Sequence, residues 1–246
     1  MVDISLERIY PDINNNNKEI RDEETIRLHL ERYHYAGKNL VPGHIADVAC
    51  GSGYGSYLLA TQYGKDNFKI TAIDNNKNAI KYAEENYNNP HIAFVNADLM
   101  LFKSAEPFST IISLETIEHL SDPEMFIRSY SSRLIKGGRF IASVPITPSM
   151  DANPYHLQDF TAASFRKMFI NNGLVEIDSF IQKQHYKPLF LFRKKYRQSK
   201  NIRLPLVNYY LKNPGKFFLR IKSFFKDGFT NKYLVVIFEN PGDVGL

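Results

Sequence analysis

The chain has 246 residues, 43% hydrophobic, 13% aromatic and 23% charged, which suits one globular domain with an elaboration and excludes disorder on a large scale. A single cysteine, Cys50, excludes an internal disulfide and a cysteine-based zinc cluster. The net charge of +5 hides an asymmetry. Residues 181–230 hold 13 Lys and Arg against one acid, Asp227, together with 11 of the 33 aromatics, so a basic, aromatic block sits on a mildly acidic body.

Along the chain, MVDISLERIYPD is acidic and lacks an apolar stretch, so no signal peptide is expected. No apolar run approaches the roughly eighteen residues of a membrane helix, and the expected address is the cytoplasm. Asparagines 14–17 form one low-complexity tract, most simply a solvated loop. Residues 1–43 are expected to form an N-terminal helical cap. From residue 44 apolar runs alternate with helix-like segments. HIADVA (44–49), FKITAI (68–73), HIAFVN (91–96), FSTIISL (108–114) and RFIASVP (139–145) are β-branched and nearly continuous, as in a parallel sheet covered on both faces. SYLLATQY, NAIKYAEENY and PEMFIRSYSSRLI lie between them with apolar residues at helical spacing. The last opens at Asp122-Pro123 and is expected to stop at Gly137-Gly138. This alternation implies right-handed crossovers and an open, doubly wound α/β sheet of Rossmann-like type. The core is expected over 44–180. Residues 146–160 form a proline-bearing loop, and Thr161 caps a helix closed by Gly173. VEIDSFI and YLVVIFEN supply two more strands, with a basic aromatic insert (181–232) before a last strand and tail (233–246).

The first strand ends in Asp47-Val48-Ala49-Cys50-Gly51-Ser52-Gly53-Tyr54-Gly55. Glycines here let the backbone turn sharply and approach a ligand closely. The dinucleotide fingerprint requires glycine where Ser56 stands, and Asp47 suits a cationic ligand better than a pyrophosphate. Asp47 has a second reading, as a brace for the loop. Asp74, at the tip of strand two, can accept both ribose hydroxyls, and Asp98, at the tip of strand three, suits an adenine amino group. Each could instead cap a helix. A loop for an amino-acid tail, an acid for a ribose and an acid for an adenine together describe S-adenosylmethionine. Gly55 reads as helix–sheet packing and Cys50 as buried filler.

These residues carry a resemblance. DVACGSGYG (47–55), Asp74 in AIDNN, Asp98 closing NAD, SLETIEHL (113–120) and LIKGGRF (134–140) are similar to class I S-adenosylmethionine-dependent methyltransferases, particularly the branch with ubiquinone-biosynthesis O-methyltransferases and many sugar-modifying enzymes. The resemblance covers about residues 30–180. It implies a seven-stranded sheet with an antiparallel last strand. It also implies cofactor contacts from Asp47, Gly51, Gly53, Tyr54, Asp74, Asn75, Asp98, Leu99 and Leu114, with Arg32 and Tyr33 closing over the methionine end.

A second constellation follows strand four. Glu115 and Glu118 are three apart, His119 follows, and His156 lies in the loop after strand five. Three readings compete. His119 or His156 is a general base. Alternatively, Glu115, Glu118, His119 and His156 ligate a divalent ion, Mg or Mn, that activates the nucleophile, a pattern resembling small-RNA 3′-terminal 2′-O-methyltransferases and some ubiquinone-pathway enzymes. In the third, these residues only brace their loops. Asn153, Tyr155, His156 and Asp159 suit a polyhydroxyl substrate, or simply stabilise turns.

In the insert, FFLRIKSFF (217–225) reads as an amphipathic helix with an aromatic face. It is either a hairpin with a solvated basic rim or a surface for anions such as nucleotide sugars, glycans, anionic lipid at the inner membrane surface, or, less favoured, RNA. The expected activity is methyl transfer from S-adenosylmethionine to a hydroxyl or amine of a small polar acceptor, first a sugar. A metal-dependent RNA 2′-O-methyltransferase and an inactive cofactor-binding partner subunit are the alternatives.

Overall fold

The protein, a computed structural model, is described over residues 23–64, 68–150, 153, 155–185, 206–228 and 230–242. The asparagine tract, Asp151, Pro154 and the cationic run 193–203 lie outside those residues. Seven strands form one sheet: β1 (His44–Val48), β2 (Lys69–Asp74), β3 (Ile92–Asn96), β4 (Phe108–Leu114), β5 (Leu134–Pro145), β6 (Val175–His185) and β7 (Thr230–Glu239). Their order is β3-β2-β1-β4-β5-β7-β6. β1 to β5 run parallel, and β7 is antiparallel to both β5 and β6. The expected seven-stranded sheet with an antiparallel last strand is what the chain forms.

Helices α1 (Glu23–Lys38), α2 (Tyr54–Gln62) and α3 (Lys77–Asn86) bury Tyr33, Leu59 and Ile80 with Ile45 and Ile112 in one cluster. α4 (Pro123–Ser131) and α5 (Ala162–Ile170) bury Phe126, Phe165 and Phe169 with Val48, Phe140 and Phe238 in another. Burying each of those phenylalanines contributes about 1.5–3 kcal/mol, so the two apolar layers are what holds the sheet between helices. Local signals set the helix starts. Asp122 accepts from the Met125 amide at 2.9 Å with Pro123 at the first turn, Asn76 accepts from Ala79, and Thr161 forms a capping box with Ser164. α6 (Leu206–Lys212) and α7 (Pro214–Asp227) form the described part of the insert.

Two boundaries differ from expectation. The fourth helix stops at Ser131, and Gly137-Gly138 lies inside β5 instead of ending a helix. Leu134 already pairs with Phe108, and the register shifts before Thr110 meets Arg139. The glycine pair, with Gly137 at φ 73°, therefore absorbs a bulge rather than a helix stop. β6 also runs to His185 and β7 starts at Thr230, so paired strand occupies both ends of the span assigned to the insert.

Gly55 sits where α2 crosses α1, and a Cβ there would fall within the Tyr33 ring. Tyr33 is 5% exposed and has nowhere to move. Gly55→Ala is therefore expected to lower stability by about 1–3 kcal/mol, read from the urea midpoint, whereas Gly173→Ala, where no atom lies within 4 Å of the new Cβ, costs only the strain of its φ of 81°.

Candidate active site

Parallel strands end on one edge, and their tips wall a cleft of about 620 Å³. The loop after β1 contributes Ala49, Cys50, Gly51 and Ser52, and β2 contributes Asp74 and Asn75. The segment after β3 brings Leu99, that after β4 Leu114 to Leu120, and that after β5 Asn153, Tyr155 and His156. The direction of winding reverses between β1 and β4, the position where open α/β sheets bind ligands.

The glycines of the first loop have different reasons. A Cβ on Gly51, at φ 58°, would meet nothing within 4 Å, so this backbone faces open cleft. A Cβ on Gly53 would come 2.5 Å from the Ala83 Cβ and 2.8 Å from the Phe94 ring, so Gly53 serves packing behind the wall. Asp74 is 4% exposed, and its carboxylate accepts from the Gly51 amide at 3.0 Å and the Asn76 amide at 2.8 Å. It shapes the loop while one side fronts the cleft.

Asp47 lies beneath the loop and off the cleft wall. It accepts hydrogen bonds from Tyr33 and Ser56, and burial pushes its carboxyl up to about 6 against the pull of those donors. Tyr33 itself reaches the wall, and the same hydrogen-bonded burial, with the Asp47 charge, holds its phenol well above the usual range. Arg32 is 1% exposed and stands behind the wall. Its guanidinium lies 4.5 Å from the Tyr233 ring, with Nη1 3.9 Å from Glu115 Oε1. Asp98 is exposed and accepts from the Met100 amide at 2.7 Å, capping the turn at the rim.

At the far end, Glu118 is fully buried and His119 and His156 are half-buried, their rings 4.7 Å apart and edge-to-face. His119 Nδ1 lies 3.1 Å from the Tyr155 carbonyl. A carbonyl only accepts, so the neutral ring carries its proton on Nδ1 and its lone pair on Nε2. His156 Nδ1 pairs with Ser149 Oγ at 2.7 Å. Burial, then the neighbouring His119 charge, pushes its pKa down to about 4, keeping it neutral near pH 7. The structure brings together three of the four expected metal candidates: donor atoms of Glu118, His119 and His156 lie within 4.8 Å of one another. Glu115 stands apart. Its backbone has φ 51°, and its carboxylate accepts from Ser143 Oγ at 2.7 Å and faces Arg32. A carboxylate with two neutral imidazoles is a donor set suited to a divalent transition ion.

Thr25 and His29 also line the cleft and were missed in the sequence. Their signal was present: 25, 29 and 33 fall on one side of a helix at four-residue spacing. His29 pairs with the Tyr54 hydroxyl at 3.1 Å, and burial followed by the Arg32 charge lowers its pKa to about 3.

Residues 45–138 match a family model described as a methyltransferase domain. This region carries a methyltransferase domain. The chain is 23% identical over 178 residues to a "probable S-adenosylmethionine-dependent methyltransferase" of Mycobacterium tuberculosis, covering 70% of this chain and 61% of that protein. It is 32% identical over 105 residues to the ubiquinone biosynthesis O-methyltransferase of Caulobacter vibrioides, covering 41% and 40%. The chain thus spans less than two thirds of the length of these curated relatives. In fold it is similar to the N-methyltransferase NodS of Bradyrhizobium japonicum, solved with S-adenosyl-L-homocysteine. The TM-score is 0.60 at 15% identity, covering 93% of this chain and 94% of that one. The methyltransferase match includes Gly51, Asp74, Leu99, Leu114 and His119, whereas His29, Tyr155 and His156 lie outside it. The far end of the cleft thus joins Glu118 and His119 from inside the matched span to Tyr155 and His156 from beyond it.

The lowered pKa of His156 has a testable sign. Its folded value is below the ordinary 6.5, so the unfolded chain binds more protons as the pH falls from 6.5 to about 4. Stability is expected to drop across that window, and His156→Gln should make the drop shallower, as measured by urea midpoints at several pH values.

Proposed function

We propose that the protein transfers a methyl group from S-adenosylmethionine to a hydroxyl or amine of a small polar acceptor, with a sugar of a nucleotide sugar or envelope glycan as the preferred class. The observation that carries this reading is one continuous cleft with chemically different ends, Gly51, Asp74, Asn75 and Leu99 at one and Glu118, His119, Tyr155 and His156 at the other. S-adenosylmethionine, when bound, supplies a methyl group on a positively charged sulfur.

The chain's residues divide the remaining work. The Asp74 carboxylate takes the ribose hydroxyls, and the bare backbone at Gly51 admits the ligand closely. Asn75 and Leu99 flank the base, with Asp98 at the rim for its amino group. Tyr54, Tyr33 and Leu114 enclose the amino-acid end, with Asp47, Gly53 and Arg32 holding that wall from behind. The acceptor must lose a proton as the new bond forms. His119 offers Nε2 as the base while its Nδ1–H is held on the Tyr155 carbonyl. His156, kept neutral, hydrogen-bonds the acceptor beside it. Positioning of the reacting atoms at about 3–3.5 Å supplies much of the rate, and α1 with Asn153, Tyr155 and His156 excludes water. Asn153 and Tyr155 on the wall support a polyhydroxyl acceptor.

One observation favours a second reading. The close grouping of Glu118, His119 and His156 suits a divalent ion bound by those three, Mn better than Mg because two of the donors are imidazoles; it would lower the acceptor's pKa in place of the base, and such a site would also serve an RNA 2′-hydroxyl.

Labelled methyl transfer from S-adenosylmethionine into a fractionated cell extract, with and without chelator, tests both. Label in nucleotide-sugar or glycolipid fractions that survives chelation is the expected result. Label in RNA that disappears with chelator favours the metal reading. His119→Ala is expected to lower kcat about 10²–10⁴-fold while leaving S-adenosylhomocysteine binding intact. Asp74→Asn is expected to weaken that binding by roughly tenfold to a hundredfold, read by calorimetry. Normal behaviour of both variants overturns the assignment.

A further inference from the structure

Helix α7 presents the wrong side to water for a helix that stabilises a core. At helical spacing Phe217, Phe218, Ile221, Phe224 and Phe225 share one arc roughly 120° wide. All five are exposed, Phe218 by 69% and Phe225 by 81%. On the opposite side Lys216 and Ser223 are half-buried and Leu219 is 52% exposed, while half-buried Arg220 flanks the Phe224 edge of the arc. Lys216 Nζ binds Asp159 Oδ2 at 2.6 Å, so the polar side is the one tied to the body. Among the described residues the aromatic arc faces solvent and is met at one edge by Tyr210 of α6, 5.4 Å from Phe217 between ring centres. Leu211, 76% exposed, extends the apolar surface onto α6.

The charges select the occupant. Over 206–227 the chain carries Lys212, Lys216, Arg220, Lys222 and Lys226 against Asp227 alone; at helical spacing exposed Lys222 adjoins the Phe218 edge of the arc, and exposed Lys226 follows one turn on, about 80° past that edge. A second copy of this surface would bring like charges together. Splayed RNA bases need separated stacking platforms in a groove, whereas this arc is contiguous and lies on a convex helix. An apolar stripe rimmed by lysines matches the boundary between acyl chains and anionic headgroups.

We propose that α7 seats the protein on an anionic lipid bilayer, with the aromatic arc toward the acyl chains and Lys222 and Lys226 at the phosphates. The seat is mechanically close to the cleft. Asp159, held by Lys216 on the inner side of α7, also accepts from the Ser149 and Met150 amides at 2.8 and 3.1 Å, and Ser149 holds His156. The helix on the membrane therefore braces the loop that carries His156. This surface does not depend on the methyl-transfer reading.

The test is co-sedimentation of the full chain with vesicles of phosphatidylcholine alone or mixed with phosphatidylglycerol. Binding to the mixed vesicles, weak binding to the neutral ones and loss with added salt are expected. Phe218→Asp with Phe225→Asp is expected to lower partitioning roughly tenfold or more with an unchanged circular dichroism spectrum, since both side chains are exposed. Lys222→Glu with Lys226→Glu should remove the preference for the anionic lipid. Absence of vesicle binding, equal binding to both vesicle types, or binding untouched by the aromatic pair overturns the proposal. So does a dimer in light scattering, or capture of a labelled single-stranded RNA without vesicle binding, that the aromatic substitutions abolish. None of these readouts involves methyl transfer, so failure here leaves the reaction to be judged separately.

Discussion

Asp47 closes β1 with a carboxylate that is 1% exposed, and the hydroxyls that donate to it come from two different helices, Tyr33 of α1 and Ser56 of α2. An isolated charge in such a place would cost far more than the fold can absorb, so the site exists only because those donors are supplied. The same bonds draw α1 across the start of α2, where Tyr33 meets Tyr54 edge-to-face with centroids 5.6 Å apart. That crossing is what turns Thr25, His29 and Tyr33 toward the strand tips and closes the cleft on one side. Gly55 allows the crossing, because the Tyr33 ring occupies the volume any side chain there would need.

Strain is concentrated on the same edge. Ala49 at φ 62° and Glu115 at φ 51° are non-glycine residues in the left-handed region, each costing of order 1–3 kcal/mol. They follow β1 and β4, the adjacent strands flanking the reversal of winding. Hydrogen bonds hold both in place: the Cys50 amide on the Ile73 carbonyl at 3.0 Å, and the Glu115 amide on the Ser143 carbonyl and hydroxyl at 3.2 and 3.1 Å. The outcome is two chain reversals that expose backbone and side chains to the cleft.

The loop after β5 is fixed from both sides. Leu157 donates to the Glu118 carbonyl at 2.8 Å, and His119 joins the Tyr155 carbonyl, so it is laced to the turn after β4. Asp159 ties its other end to α7 through Lys216. Burial alone would push the Asp159 carboxyl up, but Lys216 and the Ser149 and Met150 amides outweigh it and hold the group below its ordinary range. The loop that carries His156 is thus joined to the basic helix α7.

By itself the sequence determined the seven strands, the helices between them, the glycine loop and the acids at the strand tips, because each is written in a few consecutive residues as periodicity, capping or turn chemistry. It also marked 217–225 as amphipathic. Only the tertiary structure decided where PEMFIRSYS ends, since Leu134 becomes strand through a partner at Phe108. The same holds for the separation of Glu115 from Glu118, His119 and His156, and for the setting of Asp47, Gly53 and Arg32 behind the wall rather than on it. It also decided that the aromatic side of α7 points outward. Periodicity belongs to one segment, whereas burial, register and the direction a side chain faces are set by the segments packed against it.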